Sequence, residues 1–247
     1  MYPIFRKEVA SFFSNLTGYV AVLVFLIAGW VFLWVLNGSS SILDYGYASL
    51  DKFFDFAPIL LMLLIPAVTM RMLADEYRAG TIEWLSTKPL RDTDIILGKY
   101  FAALALIVFA LIPTGVYVYS VSSLSAAHTT LDTGAIIGSY IGLFFLAAGF
   151  AAIGIWCSSL TSNQIVGYLV ALFSCFLFYT GFEQLSSLPA FTGGIDYYLS
   201  MIGMQFHYSS ISRGVIDSRD VIYFISVVVL FIALTRLSLA RRKVVTG

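Results

Sequence analysis

The run Asp75-Glu-Tyr-Arg-Ala-Gly-Thr-Ile-Glu-Trp-Leu-Ser-Thr-Lys-Pro-Leu90 holds the residues of this chain best suited to chemistry with another molecule, because it sets five charged side chains and a tryptophan between two long apolar runs. That chemistry is recognition. Glu76, Arg78 and Glu83 can orient a partner through charge-assisted hydrogen bonds, which are stronger than neutral ones. Ile82, Trp84 and Leu85 offer an apolar surface too small to bury itself. Gly80 breaks the helix arriving from the apolar run, Thr81 suits an N-cap, and Pro89 ends a short helix. The alternative use of the same residues is an amphipathic loop lying on lipid headgroups.

Covalent chemistry has no such foothold. A phosphate-cradling loop needs G-x-x-x-x-G-K-[ST], and Gly98-Lys99 lacks both the upstream glycine and the following hydroxyl. His128 and His207 fall in predicted loops, no H-x-x-x-H or C-x-x-C spacing occurs, and Cys157 and Cys175 lie inside apolar runs as small packed hydrophobes. A membrane serine protease would need a G-x-S-x-G nucleophile, which is absent. Ion-coupled transport favours acids deep in the membrane, whereas Asp55 and Glu183 lie at span ends. No catalytic, cofactor-binding or metal-binding set is expected.

The elements that must position the recognition segment follow from composition. With 60% hydrophobic and 11% charged residues in 247 positions, the chain is far more apolar than a soluble domain, where roughly a quarter of residues are charged. An all-α integral membrane protein is expected. About 20 apolar residues cross a bilayer, and six stretches qualify: roughly 19–36, 54–72, 97–121, 135–157, 165–182 and 221–239. Basic residues then set the orientation. Arg6, Lys7, Arg71, Arg78, Lys88, Arg91, Lys99, Arg236, Arg241, Arg242 and Lys243 face one side, against Lys52, Arg213 and Arg219 on the other. Both termini are therefore expected in the cytoplasm, and the first span is expected to stay as a signal anchor. The bases form no continuous stripe, so no nucleic-acid partner is expected.

Residues 1–16 put Phe5, Val9, Phe12, Phe13 and Leu16 opposite Arg6, Lys7, Ser11 and Ser14, which predicts a helix in the cytoplasmic interface, either an anchor or a lever. Pro58, Pro66 and Pro113 predict bends within spans. Gly138, Gly142 and Gly149 predict close helix packing, inside the subunit or between subunits. The external segment 184–220 is too apolar for a free loop and too short to span, so a re-entrant or interfacial hairpin turning at Gly193 and Gly194 is expected, with its tyrosines at headgroup level and lipid as a partner.

The stretch EYRAGTIEWLSTKPLRDTDIILGKYFAAL, residues 76–104, resembles the signature of ABC-2 type transporter permeases between their second and third spans. The resemblance covers the chain in outline, as a single domain over 1–247. It implies that 75–90 is a coupling segment in which Glu76, Arg78, Gly80, Thr81, Glu83 and Pro89 dock into a groove of an ATP-binding subunit. The subgroup text FHYSSISRGVIDSRDVIYF, residues 206–224, is similar to permeases associated with gliding motility. That implies a bacterial inner-membrane complex with two ATPase subunits, a second permease copy or homologous permease, and an auxiliary subunit bearing a periplasmic domain. The expected function is export coupled to a partner's ATP hydrolysis. The competing expectations are a mechanical transmitter that moves no substrate and a passive membrane scaffold.

Overall fold

The computed structural model describes residues 1–14, 16–36, 49–81, 91–125, 132–189 and 194–246. Among them every regular element is helical, as a chain that must satisfy its backbone inside hydrocarbon requires. Helix α1 (Tyr2–Ser14) meets α2 (Leu16–Trp34) at a sharp bend, 69° between Tyr2–Ser14 and Gly18–Trp34. Next come α3 (Asp51–Thr69) and α4 (Arg71–Arg78), parted only by Met70. Helix α5 (Asp92–Leu111) passes through a 3-10 turn, Ile112–Thr114, into α6 (Gly115–Leu124). Helix α7 (Thr133–Leu160) is followed by α8 (Gln164–Phe176), a π turn (Leu177–Gly181) and α9 (Phe182–Ser186). Two short helices, α10 (Ile195–Ile202) and α11 (Met204–Ser212), precede α12 (Ser218–Thr246).

Among the described residues, five helical stretches are long and apolar enough to cross a membrane: Asp51–Arg78, Asp92–Leu124, Thr133–Leu160, Gln164–Ser186 and Ser218–Arg241. The bent pair α1 and α2 makes a sixth if it counts as one span. The protein is thus a multi-pass membrane protein. The first three stretches bury 67%, 61% and 67% of their apolar windows inside the chain, the last two only 22%, so α8 and α12, like α2 with its exposed Leu23, Val24 and Ile27, leave apolar faces to lipid or a neighbour.

Helix α7 is the hub. Its small residues bring α11 and α3 close: a Cβ added at Gly138 would lie 2.7 Å from Gly214 Cα, one at Gly142 3.2 Å from the Tyr208 ring, one at Gly149 3.1 Å from Met204 Cε, and one at Gly154 only 2.1 Å from Thr69 Oγ1. All three glycines expected to pack helices thus face the chain's own helices. Helix α1 also turns inward. Ile4 and Phe12 are buried, Ile4 fits against Gly98 of α5, and Phe13 meets Phe109 edge-on at 5.0 Å, so its exposed face carries Arg6 and Lys7.

In segment 184–220 the second of the two expected apolar pieces is itself divided. Apolar residues 197–206 do not form one piece, because Gly203 takes an extended backbone (ψ 139°) and splits them into α10 and α11. Gly194 sits at φ +118°, left-handed backbone that glycine adopts without strain, just before α10; Gly193 lies outside the described residues. His207, expected in a loop, is inside α11 and buried, since Met204, His207, Tyr208 and Ile211 recur at helical spacing on the face turned to the core.

Candidate functional site

The base of the recognition segment is built where α3 gives way to α4. Pro66 has no N–H, which weakens the backbone ladder of this helix. Four residues on, Met70 interrupts it, and Ser158 of α7, fully buried, reaches into the break. Its Oγ donates to Met70 O at 2.8 Å and accepts from Leu73 N and Ala74 N, both at 3.1 Å. One hydroxyl has one proton and two lone pairs, so all its capacity is used on this one break.

Helix α4 is then tied to four further side chains. Lys99 of α5 is fully buried, and each of its three ammonium protons has an acceptor: Glu8 Oε1 at 2.7 Å, Glu76 Oε1 at 2.8 Å and Met72 O at 2.6 Å. Lys7 approaches Glu76 Oε1 at 3.5 Å. Two carboxylates and two ammonium groups therefore meet, with charges balanced, where α1, α4 and α5 converge. Such balance is what a buried ion cluster needs, since an unpaired charge there costs several kcal/mol. Gln164 of α8 donates to Asp75 Oδ1, and Arg71 lies over the Phe12 ring, 4.3 Å from its centroid.

The sequence-predicted residues separate along this stub. Glu76 is buried and faces Lys99, so it orients α4 from within. Arg78 is exposed at the helix end. Gly80 stands at φ +67°, where a side chain would be strained. The Thr81 hydroxyl donates back to Glu76 O at 3.4 Å and thus serves the helix before it. Ile82, Glu83, Trp84, Leu85 and Pro89 lie outside the described residues. Lys99, Glu8 and Ser158 were not among the expected site residues. For Lys99 a signal existed, an ionisable side chain inside the apolar run Ile95 to Phe101, a placement that marks function in membrane chains.

A second polar group lies at the opposite end of the bundle. His207 Nδ1 is 2.7 Å from Asp220 Oδ1 and its Nε2 2.9 Å from Met201 O, with the ring stacked on Tyr223 at 3.8 Å. Tyr208 donates to Phe54 O at 2.7 Å. In an unbroken helix that carbonyl would accept from residue 58, but Pro58 has no N–H, so α11 supplies the missing donor to α3. Burial pushes the Tyr208 hydroxyl well above the usual tyrosine range.

A helical bundle that crosses the membrane several times, with an ion-paired stub at the end of one span, defines a class of multi-pass membrane protein. The chain belongs to the ABC-2 family of transporter proteins, whose family model matches residues 2–240. No curated protein matches it. Membership makes this a chain of the kind that serves as the membrane subunit of an ABC transporter, typically without catalysis of its own, and implies an ABC ATPase as its partner.

Proposed function

We propose that this chain is the permease subunit that couples ATP hydrolysis by a separate ATPase to export across a bacterial inner membrane, in the apparatus of gliding motility. The observation that carries the proposal is the clamp on α4: the helix running into Gly80 is held at once by α1, α5, α7 and α8. A push on 82–90 would reach four elements together. Ile82 to Leu85 make the main ATPase contact, Arg78 and Glu83 orient it, Gly80 and Pro89 bound it, and Glu76 and Thr81 secure its base. Two ATPases, a second permease copy and an auxiliary subunit with a periplasmic domain complete the complex, and both termini lie in the cytoplasm.

A mechanical reading keeps the same coupling without a transported substrate. It draws on α3–α4 being hydrogen-bonded by Ser158 and Lys99 at one end and by Tyr208 at the other, so that one continuous element links the ATPase side to the far hairpin. Reconstituted complex in vesicles separates the two, since export predicts ATP-dependent solute movement and relay predicts coupled ATPase alone. The coupling itself is tested by Trp84→Ala. A buried interface tryptophan typically contributes about 2 kcal/mol or more, so recovery of the ATPase in a pull-down should fall at least tenfold with insertion intact. Unchanged recovery and unchanged ATPase coupling would remove the assignment.

A further inference from the structure

We infer that Ser158 is a positioning residue whose inserted hydroxyl sets the direction of α4, giving the second span two hydrogen-bonded arrangements instead of one. In an uninterrupted helix Ala74 N–H bonds Met70 O directly. Here both groups engage the same Ser158 hydroxyl, at 3.1 and 2.8 Å, an insertion of the kind that bends helices. The second arrangement closes the ladder. Ala74 N–H returns to Met70 O, Leu73 N–H to Thr69 O, and the withdrawn hydroxyl donates to the carbonyl of its own residue four back, Gly154, as helical serines do. In the inserted arrangement Leu73 N–H leaves the buried Thr69 carbonyl for the hydroxyl, so straightening returns a donor to that carbonyl in exchange for the bonds to Ser158, and the helix can adopt either.

The surroundings fit this use. Gly154, one turn before Ser158 on the same face of α7, permits the approach: a Cβ there would lie 2.1 Å from Thr69 Oγ1 and hold the hydroxyl off the ladder. On α8, Gly167 leaves its missing Cβ 3.7 Å from Met70 O. Gly154 thus clears space beside the Thr69 side chain and Gly167 beside the Met70 carbonyl. Lys99, bound to Met72 O and Glu76, holds the inserted arrangement from the other side. Movement of α1 or α5 that drew Lys99 away would release α4 to straighten. This inference rests on α4 leading into the coupling segment, as proposed above.

The test is a distance across the break in the full chain in nanodiscs. Nitroxides are placed at Ala79 and Ser162, both exposed, with Cys157 and Cys175 replaced by alanine. Nine residues at about 1.5 Å each, swung through roughly 20°, move the label by about 5 Å. Ser158→Ala should shift the distribution by that amount while amide exchange at Leu73 and Ala74 stays within a few-fold of wild type. Gly154→Ala should give the same shifted peak, and Ser158→Thr, which keeps the hydroxyl, the wild-type peak. An unshifted distribution in Ser158→Ala, or exchange at Leu73 and Ala74 faster by more than tenfold, overturns the inference, since the hydroxyl would then be a static cap. The Trp84→Ala chain separates the two readings: it should lose the ATPase yet keep the wild-type distance, so the docking reading can fail while the pivot stands.

Discussion

Lys99 uses every ammonium proton on a protein acceptor, so its removal and the removal of the whole cluster have different consequences. Lys99→Met leaves Glu8 and Glu76 with only the exposed Lys7 near Glu76 and should cost about 3–5 kcal/mol, seen as a lower unfolding midpoint in detergent. Adding Glu8→Gln and Glu76→Gln removes the stranded charges and should recover most of that loss; no recovery would mean the lysine acts through packing. The sequence shows the three charges but not their meeting, because Glu8 lies 91 residues and Glu76 23 residues from Lys99. A count of basic residues per side treats Lys99 as one more solvated cation. Only the tertiary fold reveals that it is enclosed. His207 escaped for a related reason, since its burial depends on α11 folding back onto the start of α12.

At the scale of elements, helix contacts through α7 predict which glycines tolerate a methyl. Gly138→Ala drives a Cβ into the backbone at Gly214 and Ile211 O, both 2.7 Å away, where nothing can rotate aside, and should cost about 1–3 kcal/mol. Gly115→Ala meets nothing within 4 Å and should be neutral or slightly stabilising; thermal shifts of the two variants compare them directly. Tyr208→Phe leaves the Phe54 carbonyl without its donor and should cost about 1–3 kcal/mol, with faster amide exchange over residues 54–58. The Tyr208 hydroxyl, raised above the unfolded value near 10 by burial, stabilises fully below that value. Its contribution fades only as pH rises through the folded one, so the stability difference between wild type and Tyr208→Phe should not vary between pH 6 and 9. Long apolar runs were legible as spans because lipid imposes length and composition together. Observed helices overrun those runs, as in Asp92–Leu124 against 97–121, since a helix persists past the hydrocarbon into polar residues. The splitting of 197–206 by Gly203 was not legible, because seven apolar residues within this ten-residue stretch fit one helix or two equally well.

For the molecule as a whole, the sidedness expected from sequence rests on eleven basic residues against three. Cysteines placed at Ala79 and Ser162 should resist an impermeant thiol reagent added to intact cells, and one at Val215 should react; all three positions are accessible or nearly so, while Cys157 and Cys175 are buried. Reaction at position 79 from outside would invert the molecule and place the coupling segment beyond reach of ATP. What hydropathy cannot convey is the division of labour among spans. Gln164–Ser186 and Ser218–Arg241 are as apolar as the central three but bury only 22% of their windows, a difference that depends on which neighbours cover them.

The bond from Tyr208 to the carbonyl that Pro58 leaves free also bears on biogenesis. Donor and acceptor are 154 residues apart, which a ribosome moving at about 5–20 residues per second covers in roughly 8–30 s. Throughout that interval the second span must stand in the membrane with an open carbonyl near its N-terminal end, dependent on water or headgroups at the lipid boundary. Nascent chains halted before residue 208 should therefore be degraded faster than chains halted beyond residue 241, at equal insertion of the early spans.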